Sequence, residues 1–83
     1  MKKIIYIVIL DGSYDHDPDT KVLGAFAHME GAVACLQKKA NEIRNYWDED
    51  EIQEDSETRF HASQIGCYNE NHETLYIHEE ELR

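Results

Sequence analysis

Aspartates are crowded behind the first apolar run of the chain, and their spacing is the first feature that could bind an ion. Asp15, Asp17 and Asp19 alternate as the first oxygen ligands of a calcium-binding loop do. However, Thr20 stands where such a loop requires glycine, and Phe26 stands where it requires the closing glutamate. We therefore keep the three aspartates as candidate metal ligands and expect a solvated loop whose Asp side chains bond to the backbone. A partner-binding loop is the third alternative.

Histidines and cysteines are the other residue types that bind metals or catalyse reactions. The histidines lack the close spacing of paired metal ligands, although Cys67 and His72 leave a mixed site open. The chain contains no motif of a serine hydrolase, a phosphate-binding loop or a dinucleotide site. We predict that the protein is not an enzyme and has no cofactor. The five histidines are His16, His28, His61, His72 and His78.

A run of carboxylates begins directly after two aromatic residues. Three interpretations are open: a solvated face, a flexible tail, or a partner-binding surface whose carboxylates stand in for the phosphates of nucleic acid. The neighbouring aromatic side chains favour an interface, because rigid apolar anchors rimmed by charge are typical of binding hot spots. The candidate partner-binding residues are Tyr46, Trp47, Asp48, Glu49, Asp50, Glu51, Glu54, Asp55 and Glu57.

The net charge of −10 comes entirely from the second half of the chain. Residues 1–44 hold six acids and six bases, whereas residues 45–83 hold twelve acids and two arginines. This imbalance favours a partner with a basic surface. It argues against direct binding of DNA, RNA or anionic lipid, because those polyanions need Lys and Arg to displace their counterions.

Length and composition predict one small domain over residues 1–83. Its apolar runs are all far shorter than the roughly 20 residues of a membrane span. Ile4–Leu10 stops at Asp11 without a cleavage site, so we expect a first strand rather than a signal peptide. Cys35 and Cys67 are too few for a disulfide framework, which favours reduced thiols in a cytoplasmic protein.

The first half of the chain contains the clearest strand signals. Ile4–Leu10 is an unbroken apolar run, typical of a strand covered on both faces or of a central strand. Asp11–Thr20 is dense in turn residues and too long for a tight hairpin, so it predicts a surface loop. Lys21–Ala27 predicts a second strand that returns antiparallel to the first.

A single helix is predicted next, because apolar residues recur at steps of three and four. This stripe consists of Met29, Ala32, Val33, Leu36, Ala40, Ile43 and Trp47. Two further strands follow at Arg59–Tyr68 and Thr74–His78, with a polar turn at Tyr68–Glu73 between them. The predicted fold is a small α+β domain of ββαββ order, an antiparallel sheet with one amphipathic helix packed on one face. The helix is expected to cover the sheet face that holds Ile5, Ile7 and Ile9 or their alternates.

Two segments carry a family resemblance. V-L-G-A-F at Val22–Phe26 and L-Y-I-H-E-E-E-L at Leu75–Leu82 resemble a family of small acidic phage and prophage proteins. Ala27, His28 and Gly31 depart from the family's capped helix start, and residues 48–66 look like an insertion. The resemblance implies an accessory phage protein with a small ββα-type fold, and it implies no site residues.

These features together predict a binding protein. The leading hypothesis is an inhibitor of a basic, nucleic-acid-handling or defence protein of the host cell, such as an anti-CRISPR or anti-restriction factor, acting by nucleic-acid mimicry. The alternative is an acidic interaction module that forms a homodimer through its sheet edge or helix. A divalent-metal-binding protein is the third class, and it depends only on the aspartates before Thr20.

Overall fold

The structure is a computed structural model that describes residues 3–14, 17–64 and 71–82. Two short 3-10 turns, at Arg44–Tyr46 and Glu49–Glu51, follow the helix. The strands and the helix are, in chain order, β1 (Lys3–Tyr14), β2 (Asp17–Phe26), α1 (Met29–Ile43), β3 (Ile52–Asp55), β4 (Arg59–Ser63) and β5 (His72–Leu82).

The five strands form one antiparallel sheet in the order β2-β1-β5-β4-β3, and α1 packs against one face of it. The predicted α+β class is therefore confirmed. The order of elements is ββαβββ rather than ββαββ, because the acidic run contributes a strand of its own, β3. Ile52 of β3 lies opposite the buried Ala62 of β4, so one apolar residue anchors this otherwise polar edge strand.

The predicted surface loop over Asp11–Thr20 is wrong at residues 11–14 and 17–20, which are strand residues, while Asp15 and His16 lie outside the described residues. β1 continues to Tyr14 and β2 begins at Asp17, with Tyr14 paired to Asp17 and Asp11 paired to Thr20. The Thr20 hydroxyl also donates a hydrogen bond to Asp11 Oδ1 at 2.9 Å. β1 is bonded to β2 on one side and to β5 on the other, and these two ladders outweigh the turn preference of the individual residues.

The last two strands also differ from their predicted limits. β4 covers Arg59–Ser63, and the rest of the predicted third strand falls mainly on residues 65–70, outside the described residues. β5 runs from His72 to Leu82 rather than over Thr74–His78. Its acidic end is held as a strand because it pairs with the start of β1, where Lys3 lies opposite Leu82.

The core lies between α1 and the sheet. Leu36 is completely buried, and burial of a side chain of this size stabilises a fold by roughly 1.5–3 kcal/mol. The predicted stripe is largely confirmed, but Met29, Val33 and Trp47 are only half-buried. Trp47 follows the 3-10 turn after α1, so it packs on the core from outside the helix. The buried apolar residues are Val8, Ala32, Leu36, Ala40, Ile43, Phe60, Ala62 and Leu75.

The two faces of the sheet are covered differently. Tyr6, Val8 and Leu10 of β1 belong to the core under α1, so the alternates of Ile5, Ile7 and Ile9 face the helix. None of the described elements covers the opposite face, where those three isoleucines lie half-buried. β1 lies between β2 and β5, so the prediction of a central strand is confirmed, while the alternative of a strand covered on both faces is wrong for the described residues.

The helix is too short to cover the length of the sheet. A helix of 15 residues spans roughly 22 Å, whereas a strand of 12 residues spans roughly 40 Å. Beyond the end of α1, no described helix covers the helix-facing surface around Leu10 and Gly12 of β1. No helix among the described residues is long and apolar enough to cross a membrane.

Candidate functional site

The chain forms an ordered corner where it leaves α1 and approaches β3. The backbone N–H of Asp48 donates to Glu51 Oε1 at 2.9 Å, and the N–H of Glu51 donates to the Asp48 carbonyl at 2.9 Å. This reciprocal pair closes the turn at Glu49–Glu51 and leaves the side chain of Glu51 half-buried. Both hydrogen bonds join Asp48 to Glu51, so they fix the backbone of residues 48–51.

We use the name acidic corner for Tyr46, Asp48, Glu49 and Asp50. Tyr46 is 82% exposed, although large aromatic side chains are usually much more buried. The three carboxylates are also exposed, and no ion pair among the described residues engages them. The acidic corner therefore presents an exposed aromatic ring beside three uncompensated negative charges.

The other predicted partner-binding acids stabilise the fold or lie apart from the corner. Arg44 binds Asp55 through two hydrogen bonds of 2.7 and 3.0 Å, which ties the end of α1 to β3. Arg59 Nε lies 2.8 Å from Glu54 Oε1. Because Asp55 and Glu54 are successive strand residues, they point to opposite faces of the sheet. Glu57 is exposed in the turn between β3 and β4. The acidic run therefore does not form one line of charge.

A cleft of about 500 Å³ adjoins the acidic corner where the helix stops short of the sheet's end. Leu10 and Gly12 of β1 form part of its lining together with Ile43 at the end of α1. Tyr46 and Trp47 line the same cleft, so the predicted aromatic pair joins the corner to this cavity. We call this cavity the cleft throughout.

Glu73 is the buried carboxylate of the cleft, with only 6% of its surface exposed. The indole N–H of Trp47 donates to its Oε1 at 3.0 Å across 26 positions of sequence. Glu73 was not among the predicted site residues, because residues 68–73 were expected to form a polar turn. The sequence nevertheless contained a signal for its burial, because Glu73 precedes Leu75 by two residues and Ile77 by four. Alternate residues of a strand share a face, and Leu75 and Ile77 both pack in the core.

Two lysines line the cleft, and each has an acidic neighbour outside the core. Lys21 Nζ lies 3.3 Å from Asp19, and Lys39 Nζ lies 3.4 Å from Glu42. Both pairs are exposed enough for water to screen them, so each contributes little to stability. The pairing nevertheless partly compensates the positive charge at the border of the cleft.

The candidate metal ligands do not form a cluster where the structure describes them. Within those parts of the chain no group of three His, Cys, Asp or Glu side chains could hold an ion. Asp19 pairs with Lys21, while Asp15 and the side chain of Asp17 lie outside the description. His16 and Cys67 also lie outside it, and Cys35 is a half-buried free thiol.

The remaining histidines are scattered over the fold. His61 Nδ1 lies 2.7 Å from the Thr74 hydroxyl, and His78 Nε2 lies 2.8 Å from Glu80. His28 occupies the N-cap of α1, but its side chain makes no capping hydrogen bond. His61 and His72 line one shallow pocket with Thr74, but no third His, Cys, Asp or Glu among the described residues joins them to form a metal site.

The fold and the site define a small α+β domain with an acidic corner beside a half-open cleft. No protein-family model, curated protein or solved structure matches this chain. The resemblance to small acidic phage proteins therefore stays a prediction. Any functional conclusion must come from the geometry of the acidic corner and the cleft.

Proposed function

We propose that this protein is a non-enzymatic binding protein that docks its acidic corner on a basic surface of a nucleic-acid-binding protein. One observation supports the proposal above all: Tyr46 is 82% exposed beside the uncompensated carboxylates of Asp48, Glu49 and Asp50. An exposed aromatic ring rimmed by charge has the composition of an interface hot spot. Blocking such a basic surface would inhibit the partner, in a host cell if the phage resemblance holds.

The negative charge of the protein should also accelerate its association with a basic partner. A net charge of −10 on 83 residues produces a field that accelerates encounter with a cationic surface. The same field repels nucleic acid and anionic membranes, so the cationic partner is a protein. The Lys and Arg residues that bind phosphates in nucleic-acid-binding proteins supply a surface of the required sign.

The test compares two triple variants of equal charge. One changes Asp48→Asn, Glu49→Gln and Asp50→Asn, and leaves Glu51 to close the turn. The control changes Glu79→Gln, Glu80→Gln and Glu81→Gln, which are exposed near the far end of β5 from Glu73. The unmodified protein would first be used to retain proteins from a bacterial lysate, and those that elute with salt would be purified. Their association rates with the unmodified protein and with both variants would then be measured at two salt concentrations.

We expect the corner variant to lose most of its affinity and its salt dependence, while the control loses little. Equal losses in both variants would mean that only the overall charge matters. Undiminished affinity of the corner variant at low salt, or no retained protein with a basic surface, would contradict the proposed function. Melting temperatures of both variants would exclude unfolding as the cause.

Self-association is the second candidate function, and the uncovered sheet face favours it. Ile5, Ile7 and Ile9 form the apolar centre of that face, and charges of both signs lie on it at Arg59 and Glu54. A face with both signs can complement a second copy of itself. Sedimentation of the protein and of Ile7→Lys would test this, since a dimer through this face should dissociate in the variant and should persist in the triple corner variant.

A further inference from the structure

The cleft contains a buried acidic side chain, Glu73, with no cationic partner among the described residues. Only 6% of the surface of Glu73 is exposed to solvent. Burying an ionised carboxylate without a cationic partner is costly in free energy. Among the described residues, its carboxylate accepts one hydrogen bond, from the neutral indole of Trp47. The two lysines of the cleft pair with Asp19 and Glu42 instead.

The second oxygen of Glu73 is the candidate contact atom of the cleft. No side-chain oxygen or nitrogen in the described part of the chain is both sealed from solvent and without a hydrogen-bond partner. Since Oε1 accepts the indole N–H and Glu73 lines the cleft, Oε2 is the carboxylate oxygen that we expect a ligand in the cleft to contact. A carboxylate has sites for about four hydrogen bonds, so most of its accepting capacity is unused.

The walls of the cleft suit a planar cation with an apolar stem. Trp47 and Tyr46 supply aromatic surface, and Leu10 and Ile43 supply aliphatic surface. Glu51 adds a second carboxylate to the lining. A guanidinium group stacks on aromatic rings and donates in a fixed fork to carboxylates, whereas an ammonium group is more strongly hydrated and less suited to stacking.

We propose that the cleft binds one arginine side chain of the partner protein, with its guanidinium donating to Glu73 Oε2 and stacking against Trp47 and Tyr46. This inference rests on the proposed function, because the arginine belongs to the basic surface that the acidic corner contacts. The corner would supply attraction over a distance, and the cleft would supply the preference for arginine over lysine. Trp47 positions the Glu73 carboxylate through its indole N–H, and the same N–H can report whether the cleft holds a ligand.

The test uses two matched peptides as probes. Each is acetylated and amidated, consists of glycine and serine with two lysines, and has either arginine or a third lysine between them. Both peptides have the same charge, so the acidic corner attracts them equally. Trp47 is the only tryptophan of the chain, and its indole N–H resonance gives a reporter inside the cleft.

We expect both peptides to bind, and only the arginine peptide to shift the Trp47 indole resonance strongly. Its affinity should exceed that of the lysine peptide about tenfold, as one additional charge-assisted hydrogen bond with ring stacking allows. Glu73→Gln, which keeps the shape and a hydrogen-bond acceptor for Trp47, should remove this difference. Glu57→Gln makes the same change of charge in an exposed turn and should preserve it.

Several outcomes separate the two proposals. Equal binding of both peptides with an unmoved Trp47 resonance overturns the arginine cleft and leaves the acidic corner intact. Failure of both peptides to bind counts against the proposed function as well. If Glu73→Gln does not fold, Glu73→Asp withdraws the carboxylate by one methylene, and an undiminished preference for arginine in that variant would also overturn the inference.

Free arginine distinguishes a protein partner from a small-molecule ligand. Its own carboxylate is repelled by Asp48, Glu49 and Asp50, so free arginine should bind more weakly than the arginine peptide. Tighter binding of free arginine, with the same dependence on Glu73, would show a small-molecule site and overturn the assignment to a partner's side chain.

Discussion

Phe26 shows how single residues fix the contact between α1 and the sheet. A Cβ atom placed on Gly24 would lie 2.9 Å from the tip of the Phe26 ring, and one placed on Gly31 would lie 3.0 Å from its near edge. The ring therefore fits where two glycines leave space. This contact explains a glycine in the first turn of α1, where helix propensity alone disfavours it.

We expect Gly24→Ala to destabilise the protein by about 1–3 kcal/mol, the usual cost of overpacking. The Phe26 ring cannot retreat freely, because Gly31 limits it on another side. Urea unfolding of Gly24→Ala, Phe26→Leu and the double variant would measure the coupling. The cost of Gly24→Ala should fall in the Phe26→Leu background, and purely additive effects would contradict the steric explanation.

Leu36 is the residue whose truncation should most directly weaken the core. It is completely buried in the helix stripe, so Leu36→Ala should lower the free energy of unfolding by about 2–5 kcal/mol. Val33→Ala in the same helix is the matched control and should cost less, because Val33 is only half-buried. Chemical denaturation measures both, and similar costs for the two variants would disprove this placement of the helix.

At the scale of elements, one ion pair connects the helix to the edge of the sheet. Arg44 follows α1, binds Asp55 of β3 in a bidentate manner and lies 5.8 Å from the centroid of the Phe60 ring. The pair is about one third exposed on each side, so water screens it in part. It nevertheless holds a four-residue strand that has little apolar burial of its own.

We expect a double-mutant cycle of Arg44→Gln and Asp55→Asn to give a coupling of about 0.5–1 kcal/mol at low salt. The coupling should decrease at high salt, because the pair is partly exposed. Lys39 and Glu42 provide a control pair within the exposed surface of α1, whose coupling should be smaller. An Arg44–Asp55 coupling no larger than the control would show that β3 is held by its backbone pairing alone.

At the scale of the whole molecule, self-repulsion follows from charge and size together. The molecule measures 48 × 22 × 15 Å, so its charges lie within about one Debye length of many others at 0.01 M salt, where that length is roughly 30 Å. At 0.15 M it falls to about 8 Å, which screens all but close neighbours. A net charge of −10 therefore opposes folding most strongly at low ionic strength.

Raising sodium chloride from 0.01 to 0.15 M should increase the melting temperature by roughly 4–8 °C, equivalent to about 1 kcal/mol for a domain of this size. Thermal scans by circular dichroism measure this directly. The variant Glu79→Gln, Glu80→Gln and Glu81→Gln should gain less from salt, because it begins with less repulsion. A melting temperature that falls with salt would mean that the internal ion pairs outweigh the repulsion.

The amino-acid sequence alone determined the features that depend on local periodicity and composition. The stripe around Leu36 predicted the helix and most of its buried face, the run from Ile4 predicted β1, and the charge imbalance was visible directly. These features need no knowledge of distant neighbours, because a repeat of 3.6 residues or an unbroken apolar run is a property of one segment.

The tertiary structure decided the features that depend on pairing between distant segments. Asp11 and Thr20 became strand residues because β2 and β5 both bond to β1, and Asp55 became part of β3 because β4 lies beside it. The choice of Val8 over Ile7 for the helix-covered face depended on where α1 packs. Glu73 and Trp47 met across the fold for the same reason, since contacts between residues 26 positions apart are set by how the elements assemble and by no local pattern.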